Sequence, residues 1–258
     1  MAKAIVVSQL DYVEAVHRES EALAAAAEGN WGAQIVACPG WDVADLVWHV
    51  REVQWVWAEV VRRLLDAPPE ENAGPPRPGD PGRLLADFRA GADELCTVLR
   101  AADPAAPCWT WAAQKDAAFV IRHQAQEVAV HRVDAEHAAG RETPIDAAVA
   151  ADAVDEFLTF STGFVLDHSP RLPGPVRLEA TDVPGAWTVK EDEDRTLQVV
   201  GLGHGGPGDA HGSDPVTTVR GSASDLLLGL YRRVGPDRFS IEGDPGGWPA
   251  LVGRNNLD

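Results

Sequence analysis

Apolar residues recur at helical spacing through the first two thirds of the chain. This spacing predicts helices over about residues 8–28, 42–65, 83–102, 116–139 and 144–167. Local signals support the proposed ends: Asp42 with Asp45 resembles an N-cap, Gly140 suits a helix C-terminus, and Pro144 suits a first helical position. The Pro- and Gly-rich segment 67–82 predicts a loop.

The pattern changes at the Pro-rich stretch that begins at His168. Beyond it, short alternating segments predict strands over residues 176–180, 186–190, 197–200, 216–220 and 239–242. One helix interrupts these strands, with Ser222 as its cap and Arg233 at its end. The predicted fold class is therefore α+β, with an up-down helical bundle over 1–168 and a small α+β domain over 176–258.

Composition and charge narrow the classes of partner. The 258 residues are 45% hydrophobic and carry a formal net charge of −18, which disfavours nucleic acid and anionic membrane surfaces as partners. No apolar run approaches the roughly 20 residues of a membrane-spanning helix. Three cysteines without a C-x-x-C pair argue against a disulfide framework. We therefore expect a cytoplasmic protein, and the sequence leaves monomer and dimer open.

The fourth predicted helix carries an unusual set of ionisable side chains. Within roughly 80° of one another on its helical projection lie His123, Glu127, His131 and Asp134. The opposite side carries Arg122, Arg132 and Glu136, and we interpret it as the solvent face. The first set is then expected to point into the core, where ionisable groups are costly unless paired or bound to a metal.

Glu127 and His131 lie four residues apart, so both can reach one metal ion. His123 lies about 12 Å along the axis from His131, too far to join them. The third ligand is expected from another helix, where His49 lies on a largely apolar stripe. Two histidines and one carboxylate leave a fourth coordination position open, which is typical of a catalytic zinc site. Asp134 could hold His131 from behind as a hydrogen-bond acceptor.

Simpler interpretations stay open for these residues. Glu127 and His131 could be an ordinary pair on one helix, and His49 a hydrogen-bonded core histidine in a bundle without metal. The three cysteines are interpreted as structural, because no activating pattern surrounds them. The G-x-G-x-x-G match at 201–206 is discounted, because no helix is expected to follow it.

The sequence resembles a known family at the same positions. Two motifs carry the resemblance: Cys38-Pro-Gly-Trp-Asp-Val-Ala-Asp-Leu-Val-Trp-His49, and Arg122 followed by Glu127-Val-Ala-Val-His131-Arg-Val-Asp134-Ala-Glu136. The family is the mycothiol-dependent maleylpyruvate isomerase group of actinobacteria, whose N-terminal domain is a DinB-like four-helix bundle. The segments 221–228 and 242–244 resemble its small C-terminal domain, so the resemblance covers nearly the whole chain.

This resemblance implies one Zn²⁺ per chain, held by His49, Glu127 and His131, and mycothiol as co-substrate. The metal would lower the pKa of the thiol, and the thiolate would add to a small electrophile in a transfer or an isomerisation. Arg233, with Arg232 beside it, would hold an anionic substrate.

The chain departs from the family pattern at Gln126, where many relatives are expected to have His, and at Val133, where Trp is common. Neither is a proposed ligand, but both leave the substrate open. The leading hypothesis is therefore a zinc-dependent thiol transferase or isomerase. The alternative is a non-catalytic sensor or accessory protein that binds metal or thiol.

Overall fold

The structure is a computed structural model that describes residues 8–71, 73–162, 169–201 and 215–254. These residues form two compact units, one over Ser8–Thr143 and one from Pro144 onward. The division by contacts falls before the fifth helix, whereas the sequence places the boundary at residues 168–176. Residues 163–168, where the fifth helix was expected to end, lie outside the described residues.

The first unit is a bundle of long helices. They are α1 (Gln9–Ala27), α2 (Val43–Arg63), α3 (Pro81–Ala101) and α4 (Ala117–Ala138). The pair α1 and α2 packs against α3 and α4, so each helix of one pair touches both helices of the other. The predicted limits of all four lie within two residues of the observed ones, because local capping signals mark the ends.

Capping residues fix the ends of the helices that matter for function. At the start of α2, the Asp42 side chain accepts the Asp45 N–H, and the Asp45 side chain accepts the Asp42 N–H. At the start of α4, the Asp116 carboxylate accepts the Phe119 N–H. At the end of α4, Gly140 takes a left-handed φ of 68°, a conformation that glycine adopts without steric cost.

Helix α4 is enclosed by protein on nearly all sides, and the prediction of a solvent face on it is wrong. Arg132 and Glu136 are buried, at 2% and 7% exposure, and Arg122 is only partly exposed. Arg132 donates to Glu19 and to Glu136 at 2.8 Å each, while the Thr143 N–H also donates to Glu136. This hydrogen-bonded network lets charged residues occupy a face that packs against α1.

The second unit combines helices with a five-stranded sheet. Its elements are α5 (Ala147–Glu156), a π-helical segment (Phe157–Ser161), β1 (Val176–Ala180), β2 (Ala186–Glu191), β3 (Leu197–Gly201), β4 (Thr217–Gly221), α6 (Ala223–Leu230), a 3₁₀ turn (Pro236–Arg238), β5 (Ser240–Gly243) and α7 (Gly247–Val252). The strand order is β3-β2-β1-β4-β5. Only the β1–β4 pair is parallel among these described strands.

The core of this unit follows the alternation of the strands. Val176 and Leu178 of β1 are fully buried, as are Val189 of β2 and Val219 of β4. Helices α6 and α7 both contact β1 and β4, and α5 packs against α6. The fold class expected from sequence, α+β with a helical bundle followed by a small α+β part, is confirmed. No helix in the described part of the chain is long and apolar enough to cross a membrane.

Two predicted helix limits in this unit are wrong. Helix α5 begins at Ala147, not at Pro144, because the Asp146 carboxylate accepts the N–H groups of the first turn and acts as the cap. Helix α6 ends at Leu230, and Arg232 then adopts a left-handed φ of 61°, so Arg233 lies in a turn. Helix α7 was not predicted, since its six residues carry too short a pattern.

Candidate metal centre

Three side chains of the helical bundle converge on one point. Nε2 of His49 lies 3.4 Å from Oε1 of Glu127, and Nε2 of His131 lies 3.4 Å from the same oxygen. The ligand atoms of all three lie within 4.8 Å of one another. Helix α2 supplies His49, while α4 supplies the other two at the i,i+4 spacing of one helical face.

The two imidazoles are packed and oriented by aromatic contacts and by burial. The rings of His49 and His131 meet edge to face, with centroids 5.2 Å apart, and Trp41 lies 4.9 Å from His49 on another side. The His49 side chain is 34% exposed, whereas His131 is 11% exposed. Of the three side chains, His49 is therefore the most exposed to solvent.

The electrostatics of the cluster favour a charged pair in the absence of metal. Burial opposes the charge on Glu127, but the neighbouring His131 and His49 hold the pKa of that carboxyl well below its usual range. Burial likewise opposes the charge on His131, but the carboxylates of Glu127 and Asp134 raise its pKa to about 9. The metal-free centre thus holds a carboxylate facing an imidazolium at neutral pH.

This donor set fits a zinc ion. Donor atoms bound to one tetrahedral zinc at about 2.0–2.3 Å lie roughly 3.3–3.7 Å apart, close to the 3.4 Å separations around Glu127 Oε1. Two imidazole nitrogens and one carboxylate oxygen would leave a fourth position for another ligand. The three residues that the sequence singled out as ligands are brought together by the fold.

Asp134 lies behind His131, as expected. Its carboxylate accepts a hydrogen bond from His131 Nδ1 at 3.0 Å, and its side chain is fully buried. This contact turns Nε2 of the same ring toward Glu127 and fixes the tautomer that a metal would require. Asp134 is therefore placed to orient His131 and not to contact a substrate directly.

Cys38 is the residue near the centre that the sequence interpretation missed. Its sulfur and the ligand atoms of His131 and Asp134 all lie within 4.8 Å of one another. Cys38 precedes α2 by a short turn, closed by the Trp41 N–H donating to the Cys38 carbonyl. The available signal was its position in the same motif as His49, but its proximity to α4 depends on the tertiary fold.

Two other singled-out residues have contacts of their own. His123 is buried among aromatic rings, stacked on Phe119 at 5.3 Å and edge-on to Trp111 and Trp57, and is not among the ligand groups found in the described residues. In the second unit, the Arg233 guanidinium lies over the Tyr231 ring at 5.5 Å and donates to the Tyr231 carbonyl.

The fold and the cluster define a class: an α+β protein whose helical bundle holds a two-histidine, one-carboxylate candidate metal site. Residues 13–136 match the family described as the mycothiol maleylpyruvate isomerase N-terminal domain. The resemblance read from the two motifs is thereby confirmed, and these residues carry the N-terminal domain of that family. No curated protein matches the chain in sequence.

Two solved structures share the fold over nearly the whole chain. One is described as the crystal structure of the mycothiol-dependent maleylpyruvate isomerase; it has a TM-score of 0.55 and 13% identity, covering 93% of this chain and 94% of that one. The other is a single His-to-Ala mutant of that isomerase, with a TM-score of 0.54, 12% identity and the same coverages. At these identities the likeness establishes the fold alone.

Proposed function

We propose that this protein is a zinc-dependent enzyme that activates a low-molecular-weight thiol, mycothiol, for attack on a small electrophile. The observation that carries the proposal is the approach of both Nε2 atoms, from His49 and His131, to one oxygen of Glu127 at 3.4 Å. The family named for a mycothiol-dependent reaction supports the choice of thiol. Transfer and isomerisation both begin with the same thiol addition.

Each of the candidate site residues has a defined task in this proposal. His49, Glu127 and His131 would hold the ion, and when bound the ion supplies the charge that lowers the pKa of a thiol at its open position. Asp134 keeps Nδ1 of His131 protonated and its ring oriented. The half-exposed side of His49 admits the thiol. Arg233 is assigned to bind an anionic group of the electrophile.

The first test is elemental analysis of protein purified without chelator or metal-affinity steps. Wild type is expected to hold about one zinc per chain, and His131→Ala is expected to hold none. His17→Ala is the matched control, because His17 is a half-exposed histidine of α1 paired with Asp93. Metal absent from wild type even after zinc is offered, or retained in His131→Ala, would contradict the proposed centre.

The second test separates an enzyme from a binding protein. Zinc-loaded protein is incubated with mycothiol and a panel of small electrophiles, including maleylpyruvate, and both thiol loss and product are followed. Product formation that disappears in His131→Ala supports the enzyme. Saturable thiol binding without product from any electrophile would instead favour the non-catalytic sensor with the same fold.

A further inference from the structure

His131 belongs to two groups of possible ligand atoms, one with His49 and Glu127 and one with Cys38 and Asp134. Nε2 faces Glu127 at 3.4 Å, on the side of His49. Nδ1 faces Asp134 at 3.0 Å, and the sulfur of Cys38 lies within 4.8 Å of both partners' ligand atoms. The His131 imidazole is therefore shared by two sets of possible ligands: one with only nitrogen and oxygen donors, and a second that also contains the sulfur of Cys38.

The second set has the composition of a site for thiophilic metal ions. It comprises one thiol, one imidazole nitrogen and one carboxylate oxygen, which together are ligands used for zinc and its softer relatives. Donors on one tetrahedral ion lie roughly 3.3–3.7 Å apart, and the ligand atoms of this set lie within 4.8 Å of one another without an ion. Cys38 lies in the hydrogen-bonded turn before α2, outside any helix or strand.

Burial distinguishes Cys38 from the other cysteines. Cys38 is partly exposed, while Cys96 and Cys108 are buried. Burial raises the pKa of the Cys96 thiol to about 11 and also raises the pKa of Cys108. Neither of these belongs to a ligand group among the described residues. Cys38 is therefore the one partly exposed thiol, and it has two further possible donors, His131 and Asp134, beside it.

We propose that Cys38, His131 and Asp134 form a second metal-binding set that takes a thiophilic divalent cation, with Cd²⁺ as the probe. A neutral imidazole binds metal through one nitrogen and keeps its proton on the other. Because Nδ1 is the nitrogen that faces Asp134, an ion held with Asp134 and Cys38 takes Nδ1 and leaves Nε2 protonated, so that the His49–Glu127 side loses its second histidine. The two sets are alternatives, and the chain binds one ion at a time.

The test follows Cd²⁺ binding by sulfur-to-metal charge-transfer absorption in the ultraviolet, with stoichiometry measured by equilibrium dialysis. The His49–Glu127–His131 set has no sulfur and cannot produce this band. Glu127→Gln is expected to bind one Cd²⁺ with the full band. Cys38→Ser is expected to bind one Cd²⁺ without the band. The double variant with both substitutions is expected to bind none, as is His131→Ala.

Cys108→Ser, made in the Glu127→Gln background, is the matched control and is expected to keep the full band. Far-ultraviolet circular dichroism on each variant ensures that lost binding is not lost folding. A band that survives in Cys38→Ser, or its absence from folded Glu127→Gln, would overturn the inference. Two ions bound together in wild type would overturn the exclusive use of His131.

These outcomes are independent of the proposed function, although both use His131. A sulfur band in Glu127→Gln would establish the second set even if zinc-loaded wild type consumed no thiol. Thiol turnover by zinc-loaded wild type, with no sulfur band in any variant, would leave the proposed enzyme intact and remove the second set.

Discussion

The imidazole of His131 must release a proton before its nitrogen can bind a metal ion. In the metal-free protein the carboxylates of Glu127 and Asp134 raise the pKa of His131 to about 9. Glu127 needs no such step, because its pKa is already held well below the usual range. The residue that completes the centre is therefore also the one that sets its pH dependence.

Zinc affinity is expected to increase about tenfold per pH unit from pH 7 toward 9 and then to level off, because the metal displaces one proton from His131 over that range. Competition with a zinc chelator at several pH values measures the slope. In Asp134→Asn the plateau should move to lower pH, since the Asp134 carboxylate contributes to the raised pKa. A slope near zero in wild type would show that His131 is not a ligand.

Arg233 provides a second prediction at the scale of a residue, which rests on the proposed function. Arg233→Lys keeps the positive charge but loses the planar fork that binds a carboxylate through two hydrogen bonds. We expect KM for an anionic electrophile to rise about tenfold, or about 1.4 kcal/mol, with kcat nearly unchanged. Steady-state kinetics with Arg232→Lys as the neighbouring control checks this assignment. A larger rise in KM in Arg232→Lys than in Arg233→Lys would instead assign the binding of the anionic group to Arg232.

At the scale of elements, α4 combines two tasks: it carries Glu127 and His131, and, like α3, it packs against both α1 and α2. Its interior positions are nearly all buried, so its charged residues are satisfied inside the protein. Arg132, with Glu19 and Glu136 as partners, ties α4 to α1. The charges that periodicity assigns to solvent are in fact part of the packing.

Arg132→Ala is expected to lower the free energy of unfolding by about 3–5 kcal/mol, because it removes the guanidinium that two buried carboxylates, Glu19 and Glu136, share. Arg62→Ala is the control: Arg62 is 40% exposed and pairs with Glu59 and Glu94, so a loss below about 1 kcal/mol is expected. Urea denaturation of the metal-free proteins measures both. Equal losses in the two variants would contradict the buried network.

Helix ends are set by residues close in sequence and could be predicted, whereas burial and proximity between helices are set by tertiary contacts and could not. The ends of α2 and α4 were predictable because Asp42 and Asp116 cap within three residues of themselves. The start of α5 was predicted at Pro144, which is typical of a first helical turn, but Asp146 is the residue that caps the helix. The burial of Arg132 and the position of Cys38 beside α4 could not be predicted, since both depend on contacts between distant segments.

At the scale of the whole molecule, a ligand that binds only the folded chain must stabilise it. The two proposed histidine ligands, His49 and His131, come from helices separated by α3 in sequence, so the unfolded chain does not present them together. Metal binding at this centre is accordingly a measure of how well α2 and α4 are held in place.

Zinc at one hundred times its dissociation constant is expected to stabilise wild type by about 2.7 kcal/mol. Thermal unfolding with and without zinc should show this as an increase in Tm. His49→Ala should retain less than half of the increase, and His17→Ala should retain all of it, since His17 pairs with Asp93 outside the centre. An equal increase in all three proteins would indicate zinc binding at some other place.

The enclosure of α4 has a consequence for how this chain can acquire new chemistry. A substitution on a helix buried on nearly every side risks the fold and the ligands together. A library randomised across α4 should therefore yield mostly unfolded clones, whatever substrate is selected for. Substitutions that change specificity and still allow folding must therefore lie outside this helix. The loop around Val36, a residue that is 93% exposed, is one such place. The metal-ligand helix would then be the slowest-changing part of the molecule under selection, and its neighbouring loops the fastest.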